Sequence, residues 1–184
     1  MAETTPPESI RDYRPADHDQ IAALWARINR ELAPADLREQ FEQYIAGPLA
    51  DELRRLPEVF SAAKRNAFLV VTLGEEIIGT FGIESRSRDT TELRRMYLDR
   101  RYRGSGLAQR MLAYAESRAH ALGFSTMILS TAEIQQAALK FYRKNGYRLV
   151  TTEVADTMSV RTVGGGLKRF HFEKPLGVET GRGG

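Results

Sequence analysis

Residues 101–108 read RYRGSGLA, two glycines one position apart, directly behind Arg100, Arg101 and Arg103. A strand ending at Leu98, a bend stripped of side chains and a helix starting near Gly104 leave the first N–H groups of that helix without partners inside it. Such groups attract anions. Gly104 and Gly106 let a bulky phosphate approach the main chain, and the arginines add charge around it. Strand-to-helix turns also use glycine for steric reasons alone, so the pair by itself leaves both readings open. Spacing removes two alternatives. A dinucleotide fingerprint needs glycine at 109, where the chain has Gln109, and no acid is well placed at the end of the next strand. The string GxxxxGK followed by serine or threonine is absent.

Other chemistry is thinner. The chain has no cysteine, which excludes disulfides, thiolate nucleophiles and thiolate-bound zinc. His18, His120 and His171 are far apart and show no metal-ligand spacing, so no metal is expected. Ser105 lacks the GxSxG elbow and reads as a turn residue. The stretch LKFYRKNGYR carries Lys140, Arg143, Lys144 and Arg148, a pattern that usually marks a solvated helix face.

The elements that position these residues alternate. After MAETTPPE, read as a disordered leader, IRDYR is strand-like, and Asp17 with Gln20 three residues on forms an acidic capping box. Ile21, Leu24, Trp25, Ile28 and Leu32 then lie at helical spacing. Residues 34–64 read as helical pieces, and the Gly-Pro pair at 47–48 predicts a bent, lid-like pair rather than one rod. AFLVVTL and IIGTFGIE, separated by GEE, predict a hairpin, and TELRRMYLD predicts a third strand running into the glycines. Leu107, Met111, Leu112, Ala115, Ala119 and Leu122 predict a helix ended by Gly123. TMILST is a strand, QQAALKFYRKN a helix stopped by Gly146, and YRLVTTEV and LKRFHFEK are closing strands joined by a loop containing GGG at 164–166. GVETGRGG reads as an unstructured tail.

With 184 residues the chain is long enough for one substantial core, burying roughly 70% of its unfolded surface. Lys and Arg number 27 against 24 Asp and Glu, a net +3, too mild for a dedicated nucleic-acid tail. The opening residues lack a basic n-region and an apolar h-region, and no apolar run reaches membrane-spanning length. A cytoplasmic protein without membrane or nucleic-acid partners is the expectation.

RYRGSG, Arg101 to Gly106, resembles the R/Q-x-x-G-x-G/A element of the GNAT superfamily of acyl-CoA-dependent N-acyltransferases, and IQQAALKFYRKNGY resembles that family's N-x-x-A-x-x-x-Y-x-x-x-G-F helix. Together with the leading strand and helix and the ending FHFEKPL, the resemblance covers nearly all of residues 9–176. It implies an α/β (α+β) acyltransferase fold: a mixed, mostly antiparallel twisted sheet of about seven strands, splayed between the fourth and fifth and flanked by about four helices. It also implies one domain over 9–176, between a leader (1–8) and a tail (177–184).

The same resemblance implies acetyl-CoA as acyl donor, with no metal, and a primary amine as acceptor. Its diphosphate would lie on the turn formed by Arg101, Arg103, Gly104, Ser105, Gly106, Leu107 and Ala108. Its pantetheine arm would run beside main-chain groups of Met96, Tyr97 and Leu98. Gln135, where the family usually has asparagine, would bond that arm with the same amide on a longer stem. Tyr142 matches the tyrosine that protonates the departing thiolate, and a phenol suits this because it stays protonated at pH 7; the competing reading is a core aromatic. Glu92 falls where several members carry a general base; the competing reading is a strand residue paired with an arginine such as Arg94. The basic stretch at 139–148 could contact the coenzyme's 3′-phosphate. A non-catalytic CoA-binding module on the same fold is the main alternative, a nucleic-acid binder the lesser one. A homodimer is left open, and the long segment 34–64 and the loop near 156–166 would shape the acceptor site.

Overall fold

Seven runs rich in β-branched and aromatic residues form one sheet in the computed structural model, which describes residues 8–177. In chain order they are β1 (Glu8–Asp12), β2 (Ala67–Leu73), β3 (Glu76–Ser85), β4 (Thr90–Leu98), β5 (Thr126–Ala132), β6 (Arg148–Ala155) and β7 (Leu167–Pro175). The spatial order is β1-β2-β3-β4-β5-β7-β6. Every neighbouring pair is antiparallel except β4 and β5. The expected leader and tail lie outside the described residues, save that Glu8 already opens β1 and Gly177 ends the described chain.

Helices cover both faces. On one face α1 (His18–Leu32) lies with a string of short helices, α2 (Arg38–Tyr44), α3 (Ala50–Arg54) and α4 (Leu56–Val59); the other face carries α5 (Leu107–Ala121) and α6 (Gln136–Lys144). Strand periodicity sends Leu69 and Val71 of β2 toward α5, and Phe68 and Val70 toward α1. A strand covered on both faces needs apolar residues throughout, which is why AFLVVTL shows no alternation. β6, at the sheet's edge, is exposed along nearly its whole length and carries Arg148 and Glu153, charges that discourage pairing with a further strand.

Three local expectations are corrected. Asp17 does not cap α1 in a box with Gln20. Its buried carboxylate accepts two hydrogen bonds from the Arg11 guanidinium (2.7 and 2.8 Å) and one from the Arg14 N–H (2.8 Å), charge-assisted contacts stronger than a cap, and they hold its pKa down. Gln20 instead reaches the β2–β3 turn, donating to the Glu75 carbonyl (3.2 Å) and accepting from the Ile77 N–H (2.9 Å). The Gly-Pro pair does not break the helical string either. A single π-turn, Ile45–Leu49, accommodates Pro48, and the chain bends at Arg55, ahead of Pro57. Finally, α5 begins at Leu107 rather than near Gly104, because a 3-10 turn (Arg100–Tyr102) and two left-handed glycines intervene.

The feature that organises the site is a seam. β4 pairs with β5 only where Thr90–Glu92 lie opposite Thr126–Ile128; beyond that the strands part, as the splayed sheet requires. β4 also slips register against β3 between Thr80 and Gly82, so that Arg95 and Met96 share the place opposite Phe81. Arg95 takes φ 50° there. The Trp25 indole N–H donates to Thr80 Oγ1 (3.0 Å) and the Thr80 hydroxyl donates to the Arg95 carbonyl (2.9 Å), which fixes the bulge from the core.

Candidate active site

The glycine turn is built as an anion cradle. Gly104 (φ 79°) and Gly106 (φ 83°) adopt conformations that side chains resist, and a Cβ built on Gly104 would meet nothing within 4 Å, so open space lies over the main chain. Among the described residues, the N–H groups of Gly104, Ser105, Gly106, Ala108 and Gln109 have no intramolecular acceptor, while that of Leu107 makes one long contact with Ser105 Oγ (3.4 Å). Ser105 itself donates to the Tyr102 carbonyl (2.7 Å), which tightens the turn. The arginines behave differently from the neighbouring amides. Arg101 is bound to Asp99 through Nε (3.1 Å) and Nη2 (3.0 Å) and to Glu76, and Arg103 donates to the Leu98 carbonyl (2.9 Å) and Glu31 (3.1 Å). They brace the turn. Asp99, buried beneath it, accepts from Arg101 and from Arg27 (2.6 Å), and these partners hold its pKa down to about 2.

In the middle of the seam, α6 presents Tyr142. Its ring packs edge-on against Phe141 (5.4 Å between centroids) and Tyr147 (5.6 Å). Among the described residues its hydroxyl meets only a thioether, Met96 Sδ at 3.6 Å, so the phenol proton is held by a weak acceptor at the β4 edge. Burial pushes the Tyr142 pKa well up, with Tyr97 adding to it, and the group remains a proton donor across the physiological range. The ring is thus packed as a core aromatic, while the hydroxyl stands at the β4 edge. Gln135 caps the far strand: its carbonyl oxygen accepts from the Thr131 hydroxyl (2.8 Å) and the Ala132 N–H (3.1 Å), which orients its NH2 group as a free donor. Met96, Tyr97 and Leu98 lie on the unpaired stretch of β4, where alternate main-chain groups point away from β3 into the seam.

Glu92 is neither free nor paired with Arg94. Both of its oxygens accept from Arg161, and Arg86 stands 3.5 Å away. Arg94 and Arg95 both turn to the buried Glu52 of α3, Arg94 also to Glu84 (2.6 Å). The loop from 156 to 166 is strapped over this face: Gln40 donates to the Val163 carbonyl (2.7 Å), and Arg95 and Tyr44 (3.3 Å) donate to that of Val160. Glu52, Arg95, Arg161 and Arg169 were not singled out by sequence patterns, because each finds its partner across a gap in sequence, as Arg94 does with Glu52. The seam and this charged face enclose a cavity of about 140 Å³.

Comparison with known proteins agrees with this geometry. Residues 24–147 match the family model described as the acetyltransferase (GNAT) family, and the chain belongs to that family. It is 28% identical over 99 residues to probable N-acetyltransferase 14 of Xenopus tropicalis, covering 53% of this chain and 48% of that protein. It is 26% identical over 142 residues to N-acetylaspartate synthetase of Homo sapiens, covering 70% of this chain and 47% of that protein. The chain thus spans about half the length of these curated relatives. The crystal structure of the PaiA N-acetyltransferase from Thermoplasma acidophilum, in complex with coenzyme A, superposes over 92% of this chain and 99% of its own with a TM-score of 0.67 at 21% identity, a likeness of fold. Among the described residues no helix is long and apolar enough to cross a membrane.

Proposed function

We propose that this protein is an acetyl-CoA-dependent N-acetyltransferase that acetylates a primary amine by direct attack in a ternary complex, with residues 9–176 as its catalytic unit. The observation that carries the reading is the open seam, which has unpartnered glycine-turn amides beyond one end and the Tyr142 hydroxyl against its β4 edge. Family membership and relatives named as N-acetyltransferases support it, as does a fold neighbour solved with coenzyme A.

In this reading Gly104, Ser105, Gly106 and Ala108 offer their N–H groups to the diphosphate at the start of α5, and the Leu107 side chain anchors the helix in the core. Met96 and Leu98 hold the pantetheine arm as an added strand, and the Gln135 NH2 donates to one of its carbonyls. The N–H of Met96 or Tyr97 polarises the thioester oxygen. The neutral amine nitrogen attacks the carbonyl carbon; the C–N bond forms, the C–S bond breaks with its electron pair going to sulfur, and Tyr142 gives that sulfur a proton. The proton lost by nitrogen returns to Tyr142 through solvent. Glu92 takes it directly only after Arg161 swings aside, since its oxygens are otherwise engaged. That same occupancy favours the second reading, a CoA-binding module without catalysis.

Calorimetry with acetyl-CoA and a thiol-release assay over a panel of amines separate the two. Saturable heat and amine-dependent thiol release are expected. Heat without release under every amine selects the binding module, and no heat overturns both.

A further inference from the structure

The α3-facing side of the seam is lined by guanidinium and carboxylate groups that are unequally paired. Arg94, Arg95 and Arg161 are matched by Glu52, Glu84 and Glu92 in direct contacts. Arg169 is the least closely paired of these guanidinium groups. It extends from β7, is 9% exposed and lines the cavity, yet its only hydrogen-bond acceptor among the described residues is the neutral Ser130 hydroxyl. The nearest carboxylate, Glu153, stands 3.6 Å away, is half-exposed and already bonds His171 at 3.0 Å. The Arg169–Glu153 pair is therefore long and partly in solvent; burial lowers the Arg169 pKa, Glu153 opposes that and neighbouring Arg161 adds to it, so the guanidinium is only partly compensated.

An anion supplied from outside relieves this. The donor's diphosphate is a poor candidate, because the amides that suit it lie on the turn beyond Leu98, whereas the Arg169 side chain bonds Ser130, level with Arg94 and about four strand residues, or roughly 13 Å, short of Leu98. Arg169 instead faces the side that α2, α3 and the strapped loop enclose, where an acceptor must meet the Arg95 bulge. The cavity, about 140 Å³ and open to solvent, is of the order of the engineered cavity that admits benzene, room for a small molecule beside the seam.

Building on the acyl-transfer reading, we propose that the acceptor is a small amine that also carries a carboxylate, as an amino acid does, and that Arg169 binds that carboxylate while the amine reaches the thioester. Arg169 is thereby a specificity-determining residue. A planar guanidinium matches a carboxylate through two parallel N–H bonds, whereas an uncharged carboxamide offers no charge to an incompletely paired guanidinium.

The test compares matched acceptors on the full chain with saturating acetyl-CoA. Phenylalanine is set against phenylalaninamide, and aspartate against its diamide, with thiol release read by a chromogenic reagent; a chain without cysteine gives no background of its own. The carboxamides have the less basic amines, so more of each is neutral, and the comparison is biased against the proposal. The acid of at least one pair is expected to exceed its amide in kcat/KM by about tenfold or more, the scale of a charge-assisted contact. Arg169→Gln should erase that preference through the KM for the acid alone, and Arg169→Lys, which keeps charge but not the fork, should reduce it severalfold. If Arg169→Gln does not fold, the lysine variant decides the residue's part and the wild-type ratio decides the substrate class. Amides or simple alkylamines that equal or outperform the acids overturn the carboxylate, and a preference unchanged in both variants overturns Arg169. Turnover with neutral amines alone leaves the acyltransferase standing; no turnover with any amine removes both.

Discussion

Tyr142 joins a packed ring to a hydroxyl at the β4 edge, and the proposed chemistry draws on both. Its ring is clamped by two aromatic neighbours, so the hydroxyl has little freedom, and its only partner among the described residues is a thioether that takes the proton weakly. Removing the oxygen leaves the ring's contacts intact. Tyr142→Phe is therefore expected to lower kcat by about 10² or more, the usual range for a positioned acid, while the acetyl-CoA dissociation constant stays within about threefold. Steady-state kinetics beside calorimetry check this, and unchanged kcat removes the tyrosine from the mechanism. The position of Tyr142 was legible in the sequence because KFYRKNGY keeps the family's spacing within one helix. The charged face was not. Glu92 and Arg161 are 69 positions apart, and Arg94 and Glu52 are 42 apart, so in the sequence they look like separate surface charges. Only the sheet brings them together, and no periodicity within a strand encodes such a meeting.

Elements were legible where the cause is local. Each of the seven strands had been expected close to where it lies, because alternation and turn residues act within a few positions. The misplaced boundaries turn on backbone geometry and side-chain pairing that hydrophobic periodicity does not report. Asp17 left its cap for Arg11, Pro48 was absorbed by a widened turn, and α5 waited for two left-handed glycines. Those glycines make a prediction at this scale. Gly104→Ala puts a methyl into the space above the amides and forces a side chain to φ 79°, a strain of about 1–2 kcal/mol. Acetyl-CoA should bind at least about tenfold more weakly, because the strained turn re-orients its N–H groups. Gly47→Ala serves as control, since its Cβ meets nothing and its φ is ordinary; calorimetry should find its affinity unchanged. Equal affinities for the two variants would place the diphosphate elsewhere.

The whole molecule consists of two apolar layers on opposite faces of one sheet. β2 contributes alternate residues to each, so neither layer loosens without disturbing the other. The single tryptophan, Trp25, lies in the α1 layer and reports on it alone. Its fluorescence and the far-ultraviolet circular dichroism of the whole chain are expected to change at one urea midpoint, within about 0.2 M, a tolerance small against the usual span of such transitions. A tryptophan midpoint well below the dichroism midpoint would mean that the α1 layer melts independently.

The divergence of β4 from β5 has a consequence for the chain's endurance. Residues 93–98 and 129–132 form two rows of a ladder whose rungs stop after the first three. A molecule that lies between them supplies the missing rungs, and its binding energy counts toward the folded state, about 2.7 kcal/mol at a hundredfold excess over its dissociation constant. If that molecule is the acyl donor proposed above, the protein is sturdiest when the donor is plentiful and most readily degraded when it runs short, so its abundance would register that supply.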